Sequence, residues 1–276
     1  MKRKTSQTIL LYLLLIPLSL IMLFPFFWMI TTSLKPEVDM FATPPVWIPN
    51  PPTLENYANV IFEGDFHSYL LNSLIVATVS TILGLVIGAP AAFGFARMPY
   101  RFSGILFLII IAIRMFPPVS LVIPYFMGMR AVELIDRVPA LIIAYLPLEL
   151  PLVIWLLEGF FREFPKELQE AGEMDGLNAL GILVRIAIPV SLPAIGVAAM
   201  FAFLVAWNEF IFALSLTRTP NAATMPVGIA GYVTNFRTFW GPMTAAASIY
   251  TIPVLIVTLF AQRGIVRGLL GGAIKA

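Results

Sequence analysis

The feature that most constrains this chain is a series of six apolar segments, each long enough to cross a lipid bilayer as a helix. A membrane-spanning helix needs about twenty mostly apolar residues, because the lipid core offers no water to satisfy the backbone polar groups. The segments lie at about residues 9–31, 69–95, 103–127, 139–159, 190–216 and 243–262. The sequence therefore predicts an all-α integral membrane protein with six transmembrane helices.

Composition narrows the classes of function. The chain is 59% hydrophobic and 12% charged, whereas soluble proteins are about 25% charged. It has no cysteine, one histidine and no glycine-rich phosphate loop ending in Lys-Ser or Lys-Thr. The sequence thus lacks the side chains of a thiolate metal site, a cysteine nucleophile or an ATPase. We expect no catalytic residues, no metal and no bound cofactor.

The distribution of basic residues predicts the orientation in the membrane. Of the Lys and Arg residues in the predicted connections, eleven lie on the side of the two termini and five on the other side. Cytoplasmic connections carry the excess of basic residues in membrane proteins. We therefore expect a multi-pass protein of the cell membrane (inner or plasma), with both termini in the cytoplasm.

An acidic loop at about 160–189 separates the fourth and fifth segments. Within it, Glu167, Glu170, Ala171 and Met174 follow the i, i+3, i+4, i+7 spacing of one helix face, and Asp175 comes next, before Gly176. Such a face lets a partner protein approach closely at the small residue, while the carboxylates bind its Arg or Lys side chains. The alternative, from the residues alone, is a solvated amphipathic loop.

The loop also carries helix boundary signals. Pro165 suits the first turn of a helix, because its missing N–H is unpaired there in any case. Gly176 can take the left-handed conformation that ends a helix. The pattern predicts a short helix at 165–175 and a second at 177–188, which ends at Pro189, where the fifth span opens.

Several motifs together resemble one family of transport proteins. Pro165-x-Glu167-Leu168-x-Glu170-Ala171-x-x-x-Asp175-Gly176, then Ile188-Pro189 and Pro193, is similar to the "EAA" loop of binding-protein-dependent ABC importer permeases. Motifs of the carbohydrate branch follow the same order along nearly the whole chain: Thr32-Ser33-Leu34-Lys35-Pro36, Asn56-Tyr57, Asn72-Ser73, Ala96-Arg97, Trp207-Asn208-Glu209-Phe210 and a tail from Gln262 to Lys275. The chain resembles the maltose-type permease of the smaller, six-helix kind.

The resemblance implies a type I ABC importer permease fold with a cytoplasmic coupling helix. Glu170 and Ala171 would belong to that helix together with Glu167, and Asp175 and Gly176 would make the turn after it. In this family the coupling helix inserts into a surface cleft of a separate ATP-hydrolysing subunit. The acidic residues of the loop are therefore expected to couple this chain to the ATPase.

The same resemblance implies the partners. These are a second homologous permease subunit, two ATP-binding subunits that use ATP and Mg, and an extracytoplasmic solute-binding protein, besides a sugar substrate and membrane lipid. One departure is Gly172, where the family usually has Ala. This difference is worth about 1 kcal/mol of helix propensity, and we expect it to loosen the helix.

Five residues in the predicted spans are candidates for a translocation path: Arg114, Glu149, Trp207, Asn208 and Glu209. Charged groups at membrane depth are costly and face a partner group or a wet cavity. Arg114 and Glu149 could form an ion pair between adjacent helices or line the path. Asn208 and Glu209 could bind a polyhydroxylated solute or join helices by hydrogen bonds.

Prolines predict interruptions in two of these spans. Pro117 and Pro118 follow Arg114 in the third span, and Pro147 and Pro151 flank Glu149 in the fourth. A proline inside a helix removes a hydrogen bond and clashes with the preceding turn. We expect both helices to kink or unwind there.

Taken together, the sequence predicts a permease subunit of an ATP-driven, binding-protein-dependent importer for a sugar, an oligosaccharide or a related polyol. The chain would have an N-terminal helix with an external segment at 1–68, a core permease domain at 69–262 and a cytoplasmic tail at 263–276. The alternative is an ion-gradient-driven secondary transporter. Such a protein would carry membrane-embedded acidic or histidine sites, often in inverted repeats, and no repeat is detectable here.

Overall fold

The computed structural model describes residues 5–97 and 100–273, with side chains described for 11–97 and 100–261. This part of the chain is helical and contains no strand, only an isolated antiparallel bridge between Val233 and Thr238. The predicted all-α fold is confirmed. The α-helices, in chain order, are α1 (Thr5–Ser33), α2 (Glu37–Met40), α3 (Glu55–Ala58), α4 (Phe66–Arg97), α5 (Ser103–Ile113), α6 (Pro118–Ala131), α7 (Val138–Glu163), α8 (Lys166–Met174), α9 (Ala179–Ile182), α10 (Ile188–Val190), α11 (Leu192–Trp207), α12 (Ile211–Leu216), α13 (Met225–Ala230) and α14 (Trp240–Ala273).

Four helices of the described chain are long and apolar enough to cross a membrane, and two bent helix pairs raise the number of candidate spans to six. The four are Leu11–Ser33, Phe66–Arg97, Val138–Glu163 and Trp240–Ala261. One bent pair, α5 with α6, is the predicted third span, and its two parts meet at 92°. Prolines at the start of α6 explain this break, since Pro118 needs no N–H partner in the first turn.

The fourth span does not unwind as expected. Helix α7 runs without a break through Pro147 and Pro151, so the predicted unwinding is wrong, and a kink there stays a prediction. The neighbouring helices account for this, because tightly packed membrane helices tolerate prolines inside them. Helix α7 packs on α5, α11 and α12.

The fifth span begins later than the sequence indicates. The second bent pair is Ala179–Val190 with α11, at an angle of 86°. Pro189 lies in the last turn of the helix of the acidic loop, which ends at Val190, one residue beyond the predicted end. The fifth apolar segment of the sequence, 190–216, contains α11 and α12, with a break at residues 208–210.

The chain divides into two compact units, one of residues 1–66 and 229–251, the other of residues 67–228 and 252–276. In the first unit, two of the sequence motifs meet after α1. The Asn56 amide donates hydrogen bonds to the carbonyls of Ser33 and Lys35, at 3.0 and 2.9 Å. The hydroxyls of Ser33 and Tyr57 lie 2.7 Å apart. These contacts satisfy carbonyl groups at the end of α1 that the helix itself leaves unpaired.

In the second unit, α4 and α7 approach each other closely. Small residues recur at every fourth position of α4, the spacing that lets membrane helices pack backbone to backbone. A Cβ atom added to Gly88 would lie only 2.6 Å from a methyl carbon of Val153. The small residues are Ser80, Gly84, Gly88 and Ala92. Side chains from α4, α7, α11 and the acidic loop form the core beside this seam, among them Phe93, Leu157, Phe161, Phe164, Ile182, Leu183 and Ala198.

Candidate functional site

The acidic loop folds as predicted into a short helix followed by a turn. Helix α8 follows α7 after two residues, and Pro165 is its N-cap, with an extended backbone (φ −56°, ψ 128°), rather than a first-turn residue. The N–H of Asp175 donates to the carbonyl of Ala171 at 3.0 Å. Gly176 has φ 78°, the left-handed conformation that the sequence indicates.

The second helix of the loop begins at a cap that the sequence analysis missed. Asn178 precedes α9, and its Oδ1 accepts a hydrogen bond from the N–H of Gly181 at 2.8 Å. Asn is a preferred N-cap residue, so the signal was present in the sequence. From α9 the chain remains helical through a π-helical stretch, Leu183–Ala187, into α10.

Gly172 is the point at which α8 packs on the second helix. A Cβ atom there would lie 2.8 Å from Cδ1 of Ile186 and 3.1 Å from Cγ1 of Ile182. Gly172 is buried, and its carbonyl accepts a hydrogen bond from the N–H of Leu177 at 3.0 Å. The departure from Ala therefore lets two helices approach closely, a function that helix propensity alone does not reveal.

The opposite face of α8 is exposed. Glu167, Glu170 and Ala171 all lie on the surface, as does Met174, which is 89% exposed. Neither Glu167 nor Glu170 forms an ion pair within the described part of the chain. The face that the spacing predicts is therefore open to another molecule.

The junction between α7 and α8 is firmly packed. Glu158 and Arg162 form an ion pair in the last turns of α7. Phe164, which precedes the N-cap of α8, is buried in the core. The guanidinium carbon of Arg97, at the end of α4, lies 5.3 Å from the centre of the Phe164 ring. The residues that precede α8 therefore contact both α7 and α4.

Arg114 and Glu149 lie in different environments. Arg114 is exposed and caps the end of α5 at the 92° bend. Glu149 is fully buried on α7, with Oε2 3.1 Å from the position of a Cβ atom on Gly84. The two do not form the ion pair that the sequence allowed, because the bend exposes Arg114 while Glu149 packs against α4. Glu158–Arg162 and Glu37–Arg237 are ion pairs of the described chain, and neither includes Arg114 or Glu149.

Glu209 caps the start of α12 within the fifth span. Its carboxyl oxygens accept hydrogen bonds from the N–H groups of Phe212, at 2.9 Å, and Ala213, at 3.1 Å. The Tyr145 hydroxyl of α7 contacts the same carboxyl group. The break at 208–210 leaves N–H groups of α12 without helical partners, and Glu209 satisfies two of them.

Trp207 and Asn208 flank this cap but differ in exposure. Trp207 is buried and stacks on Phe203, with ring centres 5.3 Å apart. Asn208 is exposed, and its amide donates to the carbonyl of Leu204 at 2.8 Å. Of the five candidate path residues, only Arg114 and Asn208 are therefore exposed in this conformation.

Sequence reasoning missed a cluster that joins the connections at the other end of the spans. Asp136 accepts hydrogen bonds from the N–H groups of Arg218 and Thr219, at 2.8 and 3.0 Å, and from the Thr219 hydroxyl at 2.7 Å. Burial acts to raise the pKa of Asp136, but these hydrogen bonds and the charge of Arg218 outweigh it and lower the pKa. Asp136 has φ 61°, a conformation that Asp adopts more readily than most residues.

Comparison with known proteins decides the family. Residues 84–271 match the family described as "Binding-protein-dependent transport system inner membrane component". The chain belongs to this family. The permease is 39% identical, over 256 residues and 92% of each chain, to the trehalose transport system permease protein of Mycobacterium tuberculosis. It is 37% identical to the sulfoquinovosyl glycerol transport system permease protein of Agrobacterium fabrum, over 92% of this chain and 89% of that one.

A third relative spans the full length. The trehalose/maltose transport system permease protein of Thermococcus litoralis is 35% identical over 278 residues, covering 100% of this permease and 99% of the relative. The permease is thus an inner membrane component of an ABC importer, and the family predicted from its motifs is confirmed.

Solved structures show the same fold. A chain of a bacterial ABC transporter involved in the import of the acidic polysaccharide alginate matches with a TM-score of 0.78 at 21% identity, covering 95% of this chain and 98% of that one. A chain of the inward-facing methionine ABC transporter matches with a TM-score of 0.60 at 19% identity, over 72% and 94%. The likeness confirms the predicted ABC permease fold.

Proposed function

We propose that this permease moves a sugar, an oligosaccharide or a related polyol across the membrane as one subunit of an ATP-driven importer. Three relatives between 35 and 39% identical support this cargo, since their names refer to trehalose, trehalose and maltose, and sulfoquinovosyl glycerol. The main observation in favour of an ATP-driven importer subunit is the exposed acidic face of α8. Helix α8 directly follows α7, which contributes to the core.

In the proposed mechanism, α8 is the coupling helix, and its face of Glu167, Glu170 and Ala171 binds a separate ATP-hydrolysing subunit. The partner binds ATP and Mg, for which this chain has no phosphate loop. Closure of the ATPase would displace α8, and the packing of Phe164 with Arg97 would pass that displacement to α7 and α4.

The proposed translocation path runs along the interrupted third and fifth spans. These spans are neighbours, because α6 packs on α12 and the rings of Tyr125 and Phe212 lie 5.0 Å apart. Each interruption exposes one polar side chain, Arg114 or Asn208. The buried candidates, Trp207, Glu209 and Glu149, would not contact the solute and would instead stabilise the helices that line the path. ATP hydrolysis would drive alternating access, and solute binding would favour one conformation over the other.

The proposed assembly has this permease, a second homologous permease subunit, two ATP-binding subunits and an extracytoplasmic solute-binding protein. Its orientation follows from the basic residues, which favour a cytoplasmic position for both termini and the acidic loop. The loop then lies on the side of the membrane where ATP is present.

Charge reversal on α8 tests the coupling role. In the complete transporter, Glu170→Lys is expected to abolish uptake of radiolabelled sugar while membrane insertion is retained. Glu173→Lys is the matched control, since Glu173 lies off the proposed contact face and is hydrogen-bonded to Gln169 at 3.0 Å. Uptake at the wild-type rate by Glu170→Lys would contradict the proposal.

A further inference from the structure

Glu149 occupies a niche on α4 that exists because Gly84 has no side chain. Its own side chain is 0% exposed. A Cβ atom on Gly84 would lie 3.1 Å from Oε2 of Glu149 and 3.8 Å from its Cβ. Ser80, one turn away on α4, faces the carboxyl group, but its hydroxyl makes its hydrogen bond with the carbonyl of Ala77, at 3.4 Å.

The carboxyl group in this niche is poorly satisfied. Within the described chain, neither oxygen of Glu149 has a hydrogen-bond partner of normal geometry, and the residue forms no ion pair. A buried polar group without partners costs free energy that it does not cost in water. The packed arrangement of α4 and α7 is therefore less stable than it would be with an apolar side chain at this position.

Glu149 also lies where α7 is most easily bent. Pro147 and Pro151 flank it, and each lacks the N–H group that would bond the carbonyl four residues earlier. Prolines are the commonest sites of helix bending. The far end of α7 leads through Phe164 and Pro165 into α8, so a displacement of α8 reaches this segment along one helix.

We propose that Glu149 is a positioning residue of the transport cycle. Its carboxyl group enters the Gly84 niche and sets α7 against α4 in the conformation described here, and it leaves the niche in the other end state. The inference rests on the proposed transport function. In the second state the carboxyl group gains hydrogen bonds that the niche denies it, which keeps the two states close in free energy and allows ligands to shift the population.

A pair of cysteines tests whether α4 and α7 separate at this point. The natural chain has no cysteine, and the 3.8 Å between the Glu149 Cβ and the Cβ position of Gly84 matches the usual separation in a disulfide, about 3.8 Å. The Gly84→Cys, Glu149→Cys variant of the complete transporter, in proteoliposomes, lacks the carboxyl group, so when reduced it is expected to take up labelled sugar only at the lowered rate of Glu149→Cys alone. Oxidation is expected to abolish uptake, and a reductant to restore it.

Single-cysteine variants are the controls, since oxidant should leave their uptake unchanged. Retained uptake with the disulfide shown by mass spectrometry would overturn the inference, as would failure of the pair to crosslink. Absence of uptake by the wild-type transporter would instead overturn the proposed function, and this inference with it.

Substitutions separate a positioning role from a purely structural one. Glu149→Leu removes the unsatisfied group, so it is expected to raise the melting temperature of the complex while lowering sugar uptake several-fold. Glu149→Gln keeps a polar group of the same shape and is expected to retain most of the uptake. A parallel loss of thermal stability and uptake in Glu149→Leu would show a structural role only and would refute the inference.

Discussion

Single polar side chains fix the connections of the second unit. Asp136 binds the backbone of Arg218 and Thr219, and its own N–H donates to the carbonyl of Leu216 at 2.8 Å. Asn72 likewise donates to the carbonyls of Pro220 and Ala223, each at 3.0 Å. Each side chain holds two distant segments together, so each should be sensitive to loss of a single polar atom.

Asp136→Asn tests the cluster without changing the backbone preference, because Asn also tolerates φ near 61°. Hydrogen bonds to a charged acceptor are stronger than hydrogen bonds to a neutral one, but the Asp136 carboxylate is partly exposed, so solvent weakens its hydrogen bonds. We expect the free energy of unfolding of the transporter to fall by about 1–2 kcal/mol at neutral pH. Thermal unfolding of the purified complex measures this, with the exposed Asp65→Asn as a control that should change nothing.

The stability difference between wild type and Asp136→Asn is also expected to depend on pH. Hydrogen bonds lower the pKa of Asp136 in the folded state. Its contribution to stability is therefore complete above the unfolded Asp pKa, about 3.9, and is lost as the pH falls through the lowered folded value. The difference in melting temperature between wild type and Asp136→Asn should stay constant near neutral pH and narrow on acidification. A difference that widened in acid would contradict the assignment.

The short helices depend on their neighbours. Helix α8 has 9 residues and α12 has 6, whereas isolated helices shorter than about 12 residues are marginal in water. Packing at Gly172 holds α8 against the second helix of the loop, and Glu209 caps α12. Their stability therefore comes from a few specific contacts.

Gly172→Ala sets helix propensity against packing. Propensity alone would stabilise α8 by up to about 1 kcal/mol, but crowding against Cδ1 of Ile186, 2.8 Å from the new Cβ, costs about 1–3 kcal/mol. We expect a lower melting temperature, which Ile186→Val should largely restore by removing that carbon. Gly159→Ala in α7 is the control, since its Cβ would meet nothing within 4 Å. Stabilisation by Gly172→Ala alone would refute the close packing.

Glu209→Ala tests the break in the fifth span. It leaves the N–H groups of Phe212 and Ala213 without their acceptor inside the span, at a cost of about 1–3 kcal/mol for each unsatisfied group. Glu209→Gln keeps a carbonyl acceptor and should lose less stability. Melting temperatures of the two variants measure the difference; equal losses would show that the charge rather than the cap matters.

The sequence predicted the positions of the helices far better than the breaks within spans and the contacts between helices. The six apolar segments and the position of α8 follow from hydropathy and from Pro165 and Gly176, which act locally. The bend at Pro118 also has a local signal. The break at 208–210 and the niche at Gly84 do not, because they depend on which side chains α7 presents to neighbouring helices. For the same reason the sequence left open whether Arg114 and Glu149 form an ion pair, and the packing shows that they do not.

At the largest scale, that of the second unit, several helices pack on α7. Helix α7 packs on α5, α11 and α12. The hydroxyl of Tyr145, on α7, contacts the carboxyl group of Glu209. Two residues separate the end of α7 from the start of α8. In the proposed mechanism a force applied to α8 therefore acts on the spans that would form the path. The central claim is that an ATPase subunit applies that force to the exposed face of α8.

Cysteine crosslinking in the assembled transporter tests this claim most directly. Cysteines introduced one at a time at Ala171 and Met174, in a chain that has none of its own, are expected to crosslink to the ATP-binding subunit through a short bifunctional reagent. A cysteine at the equally exposed Met115, in the bend of the third span, should not. Crosslinks from both positions of α8 are the predicted result. Their absence in a transporter that still assembles and takes up sugar would contradict the account.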